Sequence, residues 1–267
     1  MSTLIVGASG YLGREVVRQA RAAGHAVVGT ATTAAGGQVP VDVTDRKAVH
    51  AVVTAVVPRL IVNCVGHGSD WRVLADGAAS VAAEAAAIGA RLVHVSTDAL
   101  HAGRPTPYTE ADVPTPVSQY GSAKAAAETA VAAISPAAVI VRTSLIAGTD
   151  ESKHVAFALA VTRGQQPGTM FTDEIRCPVH VEDLAGAILE LADSRFGGVI
   201  NVAGPEAISR ADFGRRVARS HGLDESSVPV GPSAGGGLGP RPLDVRLDSS
   251  LARSILRTPL RPVSEFV

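Results

Sequence analysis

The sequence predicts an α/β fold, a doubly wound parallel sheet followed by a smaller α/β part. Short apolar runs alternate strictly with helical patterns as far as residue 98. That order builds a parallel sheet with helices on both faces. Three glycines, Gly7, Gly10 and Gly13, stand at three-residue spacing between the first run and the first helical pattern, where nucleotide-binding sheets place their phosphate turn. The length of 267 residues suits one large domain, or a domain with an appendage, with a sizeable core.

The first strand is "STLIVGA" (2–8), and the helix "YLGREVVRQARAAG" (11–24) ends at Gly24, a residue suited to the left-handed turn after a helix. "HAVVGT" (25–30) is strand two. "QVPVDVTD" (38–45) carries strand three, with Thr44 or Asp45 capping the helix "RKAVHAVVTAV" (46–56). "RLIVNCVG" (59–66) is strand four, "WRVLADGAASVAAEAAAIG" (71–89) a long Ala-rich helix, and "ARLVHVSTD" (90–98) strand five. The stretch 99–119 is rich in Pro, Thr and Gly without periodicity; long ordered loops of this kind are usually functional. "SQYGSAKAAAETAVAAI" (118–134) is a helix with Ser118 as its cap, and "AAVIVRTSLIAG" (137–148) is strand six.

Beyond Gly148 the texture is looser. Helices are expected over 155–163, 182–192, 210–221 and 249–256, with short strands near Met170, at "PVHV" and at "GVINVAG". The Gly/Pro-rich stretch Val230 to Pro242 reads as a mobile connector. A boundary near residue 148 gives a nucleotide-binding domain over 1–148 and a substrate-binding region over 149–267, some of whose segments return to the first sheet.

Composition narrows the function classes. Net charge is -1, from 24 basic and 25 acidic residues, so no global field draws nucleic acid or an acidic membrane. The run "GRRVARSH" (214–221) reads as the solvated face of a helix. Cys64 and Cys177 lie far apart without ligand spacing; reduced thiols and a cytoplasmic location are expected, with no metal site. Neither a signal peptide nor a membrane span is evident, and no nucleophile-elbow serine occurs.

The glycine stretch has a specific chemistry. Glycines there permit a tight turn and close backbone approach to a pyrophosphate, and the helix N-terminus offers free N–H groups and the positive end of its dipole. Gly7, Ser9, Gly10, Tyr11, Leu12 and Gly13 are the expected cradle of a dinucleotide. After strand two, "GTATTAAGG" (29–37) contains no acid for a ribose 2′-hydroxyl. Thr30, Thr32 and Thr33, with Arg14 as a cationic partner, suit a 2′-phosphate, and NADP(H) is expected in preference to NAD(H).

"VSQYGSAKAAAE" (117–128) sets Tyr120 and Lys124 four positions apart in a chain with three tyrosines and three lysines. On a helix the two share a face. An ammonium beside a phenol is expected to lower its pKa and fit it for proton transfer while hydride moves at carbon. A lysine suits this slot better than arginine, whose fork is broad and always charged.

The stretches "GASGYLG", "VSTD", "PYTEADVPTPVSQYGSAKAAAE", "VRTS", "PVHVEDLAGAI", "NVAGPEAISRADF" and "RPLDVRLDSSLARSIL" run in an order that resembles the extended short-chain dehydrogenase/reductases, nearest the dTDP-4-dehydrorhamnose reductase family. The resemblance covers nearly the whole chain. It implies a Rossmann-like doubly wound parallel sheet with a smaller C-terminal α/β substrate-binding part. It also implies a triad in which Tyr120 protonates a carbonyl oxygen, Lys124 holds the nicotinamide ribose and tunes Tyr120, and Thr97 hydrogen-bonds the same oxygen. Asp42 and Val43 would lie by the adenine, and Cys64, Val65 and Gly66 would line the cofactor. The implied activity is NADP(H)-dependent reduction of a keto group on a nucleotide-linked deoxysugar, with a homodimer common among such proteins.

The substrate positions depart from the family pattern. "NCVGHGSDWRVLADG" stands where "NAAAYT" is usual, "RTSLIAG" replaces "RTSWVYG", His154 replaces an Asn, and "EIRCPV" replaces "QxGxPT". His67, Asp98, His154 and Arg176 are the candidate substrate contacts; a solvated loop is the alternative for His67, fixing the loop backbone for Asp98 and a surface ion pair for Arg176. His94 reads as core, and Trp71 as a buried or capping residue. Two other functions stay open. One is a nucleotide-binding regulatory subunit like the methionine adenosyltransferase β subunit. The other is a sugar-nucleotide epimerase or dehydratase, disfavoured because Ala99 follows Asp98 where dehydratases carry a second acid.

Overall fold

The computed structural model describes residues 1–33, 36–66, 68–234 and 239–267. In chain order the elements are β1 (Ser2–Val6), α1 (Tyr11–Ala22), β2 (Ala26–Ala31), β3 (Val39–Pro40), α2 (Arg46–Val56), β4 (Leu60–Asn63), a π-helical turn (Arg72–Asp76), α3 (Gly77–Ala87) and β5 (Arg91–Val95). A 3-10 turn (Asp98–Leu100), α4 (Gln119–Ile134), β6 (Val139–Arg142), β7 (Ile146–Ala147), α5 (Lys153–Thr162), β8 (Met170–Phe171), β9 (Ile175–Arg176) and β10 (Val179–His180) follow. The chain continues through α6 (Val181–Asp193), β11 (Gly198–Asn201), β12 (Ile208–Ser209), α7 (Arg210–Ser220), β13 (Val230–Gly231) and α8 (Ser250–Ile255).

Seven strands form one sheet in the order β11-β6-β5-β4-β1-β2-β3, every pair parallel. The winding reverses between β1 and β4, so a crevice opens beyond their carboxyl ends, the usual ligand position in such sheets. Alternate residues divide between the two faces. Ile5, Leu60, Val62, Val93, Val95, Val139 and Val141 pack on one side with Leu12, Val16, Leu184 and Ile188. Leu4, Val6, Ile61, Leu92 and Ile140 pack on the other with Val49, Val53, Val81 and Val131. Both faces of each inner strand are therefore covered, which explains continuous apolar runs in place of strict alternation. A separate cluster under Leu159, Met170, Phe213 and Val217 holds the C-terminal part. Strand β11 and Leu184 and Ile188 of α6 lie beyond residue 148 in sequence but belong to the main sheet and its packing.

Local chemistry sets the boundaries. Gly24 follows α1 at φ +79, and its neighbour's N–H closes back on Ala20 O at 3.0 Å, the left-handed ending expected. Asp45, not Thr44, caps α2, its Oδ1 accepting from Lys47 N at 2.9 Å. Ser118 Oγ caps α4 by accepting from Gly121 N at 3.1 Å. Two elements differ from expectation. Strand β3 is two residues long, because Pro40 has no N–H to continue a ladder and lies on an exposed edge. The helix expected from residue 71 begins with a π turn, where Gly77 packs so close to Val43 that a Cβ would lie 2.8 Å from its Cγ2. Within the connector Val230 to Pro242, residues 235–238 lie outside the described residues.

Among the described residues, no helix is long and apolar enough to cross a membrane. Nor does any group of three or more His, Cys, Asp or Glu stand together as metal ligands among them.

Candidate active site

A groove of about 980 Å³ runs over the carboxyl ends of the central strands, from Thr30 and Asp42 at one end to Arg176, Arg210 and Arg241 at the other. Its first wall is the glycine turn. Gly7 has φ +82, which a side chain would strain. A Cβ on Gly13 would collide with the Gly7 carbonyl oxygen and lie 2.9 Å from Ala8 Cα, so helix α1 can rest directly on β1. Gly10 is the N-cap of α1, with no side-chain cap and no acid in the first turn. The N–H groups of that turn are left to an incoming anion. This cradle, with Ser9, Tyr11 and Leu12 also lining the groove, fits a dinucleotide pyrophosphate.

At the adenine end, Val43 is buried and Asp42 Oδ1 accepts from Thr44 N at 2.9 Å and Thr44 Oγ1 at 2.8 Å. Those bonds hold the Asp42 carboxyl below the usual range. Thr30 and Thr32 line the same end, as does Arg72. Arg14 is engaged elsewhere: it donates to Ser9 O at 2.8 Å and pairs with Glu151 at 2.6 Å. Tyr11 also reaches that segment, its hydroxyl accepting from Thr149 N at 3.1 Å.

At the other end of the crevice, Cys64, Val65 and Gly66 leave β4 and line the groove. Burial pushes the Cys64 thiol up to about 12, although Lys124 pulls against it; this thiol is inert. Thr97 leaves β5 and caps the Asp98–Leu100 turn, its Oγ1 accepting from Ala99 N at 3.1 Å. A Cβ on Gly121 would collide with Ala99 O, so the glycine after Tyr120 lets α4 close on that turn. Gly121 stands directly after Tyr120 in "YG", a signal that the spacing of Tyr120 and Lys124 does not carry. Tyr120 and Lys124 both line the groove with Thr97.

Lys124 is 1% exposed. Its Nζ donates to Val95 O at 2.6 Å and Val65 O at 3.5 Å, and lies 3.4 Å from His94 Nε2. Burial brings its pKa down to about 8, with Glu128 opposing. His94 is buried as expected, yet it also faces this ammonium. Burial and Lys124 together keep the imidazole neutral. The phenol departs from expectation. Burial raises the Tyr120 pKa, Thr97 opposes it, and Asp98 adds to it. The Lys124 ammonium is held by the Val95 and Val65 carbonyls beside His94.

Asp98 is buried, and its pKa is raised by that burial against the pull of Arg176 and Ser144. Ser144 Oγ donates to Asp98 Oδ2 at 2.6 Å. Arg176 is buried beside it, with Nε 3.5 Å from the same oxygen. Its Nη1 donates to Ile175 O at 2.7 Å and Leu243 O at 2.8 Å, and its Nη2 to Pro242 O at 2.6 Å and Glu174 Oε1 at 3.4 Å. Nη1 and Nη2 thus make four hydrogen bonds to protein, and Nε is left to the Asp98 ion pair. Arg176 reaches the groove wall as a brace for the 240s segment. His154 is half-buried and kept neutral by burial and by Arg210, whose Nη1 lies 3.3 Å from its Nδ1. His67 lies outside the described residues. Trp71, expected to be buried or capping, is 50% exposed. Lys153, Glu174, Arg210 and Arg241 complete this end; no sequence spacing links them, and the fold alone brings them together.

Over residues 1–267 the chain matches the family described as RmlD substrate binding domain. It is 32% identical over 273 residues to a dTDP-4-dehydrorhamnose reductase of Mycolicibacterium smegmatis, covering 97% of this chain and 81% of that protein. Identity to the methionine adenosyltransferase 2 subunit beta of Rattus norvegicus is 30%, over 97% of this chain and 84% of that protein. The crystal structure of a hypothetical dTDP-4-dehydrorhamnose reductase from Sulfolobus tokodaii superposes with a TM-score of 0.86 at 30% identity, covering 98% of this chain and 97% of that one.

Proposed function

The chain belongs to the RmlD-like family of extended short-chain dehydrogenase/reductases, and from that premise we propose that it is an NADP(H)-dependent reductase of a keto group on a nucleotide-linked deoxysugar. The observation that carries this reading is one continuous groove joining the glycine cradle to Thr97, Tyr120 and Lys124.

The bound reduced nicotinamide supplies the hydride for the carbonyl carbon. Tyr120 donates the proton to the carbonyl oxygen. The phenol carries its proton at neutral pH, and because burial raises its pKa and weakens it as an acid, the ammonium of Lys124 would have to offset that burial in the loaded site. Thr97 Oγ donates to the same oxygen and stabilises the developing alkoxide. Lys124, whose Nζ is held by a short bond to Val95 O, would hold the nicotinamide ribose. Asp98, which accepts from Ser144 Oγ at 2.6 Å and from Thr97 Oγ1 at 3.4 Å, holds the Thr97 hydroxyl.

Preference for NADP(H) is supported by the absence of an acid between Gly29 and Gly37 and by Arg72 at the adenine end. Arg14, tied to Glu151, is not needed for it. Residues 1–148 supply the cofactor cradle and triad, and residues 149–267 the far wall of the groove, with α6 and β11 completing the sheet body.

Replacing Tyr120 by Phe tests the assignment. The variant is expected to bind NADPH as the wild type does and to lose most turnover on a nucleotide keto-sugar; near-full activity refutes it. A second reading, a nucleotide-binding regulatory subunit, is favoured by the similarity to the methionine adenosyltransferase subunit. The intact Thr97, Tyr120 and Lys124 set weighs against it. Co-purification with a partner enzyme, together with failure to consume NADPH on a keto-sugar panel, would favour it.

A further inference from the structure

We propose that His94 is a positioning residue for the reaction: its neutral ring, behind the groove wall, accepts an N–H of the Lys124 ammonium and so keeps that lysine charged and aimed for the nicotinamide ribose. The proposal rests on the reductase reading for the role of Lys124.

Packing alone does not explain a histidine here. His94 stands within β5, paired with Asn63 of β4 and Ile140 of β6, and is buried. Ile61, Leu92 and Ile140 fill that face of the sheet with apolar side chains. A ring with two polar nitrogens is costly there unless a partner offsets it. His94 reaches the groove only through Lys124, which lines it. The ring Nε2 lies 3.4 Å from Lys124 Nζ, while Nδ1 is buried without a partner among the described residues. An ammonium donates and cannot accept, so Nε2 is the accepting nitrogen and Nδ1 carries the proton. The fold thus leaves an N–H unpaired in the core, itself unfavourable, and presents a lone pair to Lys124.

No ion pair substitutes for this contact. The one carboxylate of α4, Glu128, is bound up with Arg142, whose Nη2 lies at 2.9 Å and Nε at 3.1 Å. The ammonium therefore meets neutral acceptors, the carbonyls of Val95 at 2.6 Å and Val65 at 3.5 Å and the ring of His94. Among the described residues His94 is the only side chain of the three. An acceptor on the charged form favours it over the neutral amine, against the burial that opposes it. The other titratable groups here are Cys64 beyond β4 and Tyr120 one turn earlier on α4. Burial raises both, so both keep their protons while Lys124 titrates.

The test reads the lysine itself. The chain has three lysines, so the full-length protein labelled at the lysine ε-carbons gives three NMR signals, and the one lost in Lys124→Met belongs to Lys124. Its midpoint, about pH 8 in the wild type, is expected to fall by about one pH unit in His94→Leu. His94→Gln, whose amide oxygen reaches as far as Nε2, is expected to restore it. His94→Asn, whose amide reaches only as far as Nδ1, is not, and it carries the test should the Leu variant fail to fold. The alkaline limb of NADPH affinity is expected to move with the NMR midpoint, so that His94→Leu binds about fivefold more weakly than wild type at about pH 8. Midpoints unchanged in His94→Leu and His94→Asn, or not restored by His94→Gln, overturn the proposal; a merely structural role lowers stability and leaves the midpoints alone. A shifted midpoint in a protein that consumes no NADPH on a keto-sugar panel would strike the reductase reading and leave the His94 contact standing.

Discussion

Replacing Lys124 by Met should stabilise the cofactor-free fold at alkaline-sensitive cost to function, and the magnitude follows from its setting. The side chain is 1% exposed, and burial lowers its pKa from 10.5 to about 8. A shift of that size corresponds to about 3 kcal/mol carried against the charged form. Removing the ammonium relieves this, but leaves the Val95 carbonyl without its 2.6 Å donor, a loss of about 1–3 kcal/mol. The variant is therefore expected to be more stable at neutral pH by about 0–2 kcal/mol. The pH dependence is the sharper readout. The folded pKa lies below the unfolded one, so between about pH 8 and pH 10.5 the native protein binds fewer protons and gains stability as pH rises. The variant lacks this gain. Denaturant unfolding at about pH 7 and about pH 10 should show the gap shift by about 2–3 kcal/mol in favour of the wild type. NADPH binding by the variant should be weak throughout. A gap that does not move with pH, with the variant less stable at both, refutes the reasoning.

Gly13→Ala puts a Cβ against the Gly7 carbonyl oxygen; thermal unfolding should show a loss of about 1–3 kcal/mol, with NADPH bound more weakly as α1 is pushed off its cradle. Arg176→Leu strands Asp98 and the carbonyls of Pro242 and Leu243, and should cost about 3–5 kcal/mol in denaturant unfolding, whereas a direct substrate role would raise KM with stability kept. Wild-type NADPH affinity should hold steady below about pH 8 and weaken above it as Lys124 deprotonates, with titrations across that range as the check.

The parallel sheet was legible because its inner strands are covered on both faces. Val62, Val93 and Val141 sit on one side, and Ile61, Leu92 and Ile140 on the other, so the runs stand out whatever their period. The glycine turn was legible because close packing tolerates no Cβ at Gly13. Less visible were features that depend on contacts across the fold. His94 read as core, and it is buried. Its contact with Lys124 joins residues 30 positions apart. Two backbone carbonyls, of Val65 and Val95, hold the same ammonium. Arg176 attracted a ligand reading because the carbonyls of Pro242 and Leu243 that absorb its donors come from a segment some 66 residues later. Arg210 and Arg241 meet Glu174 only through the pairing of β9 with β12 and the return of the chain past Ile175.

The central claim is that this chain delivers hydride to a substrate carbonyl. The most direct measurement is mass spectrometry of the product formed from nucleotide-linked keto-deoxysugars with NADPH carrying deuterium at the transferred position of nicotinamide C4. One deuterium retained in the reduced sugar, with an equal amount of oxidised cofactor, is expected. A converted sugar without label, with the cofactor unconsumed, would contradict it.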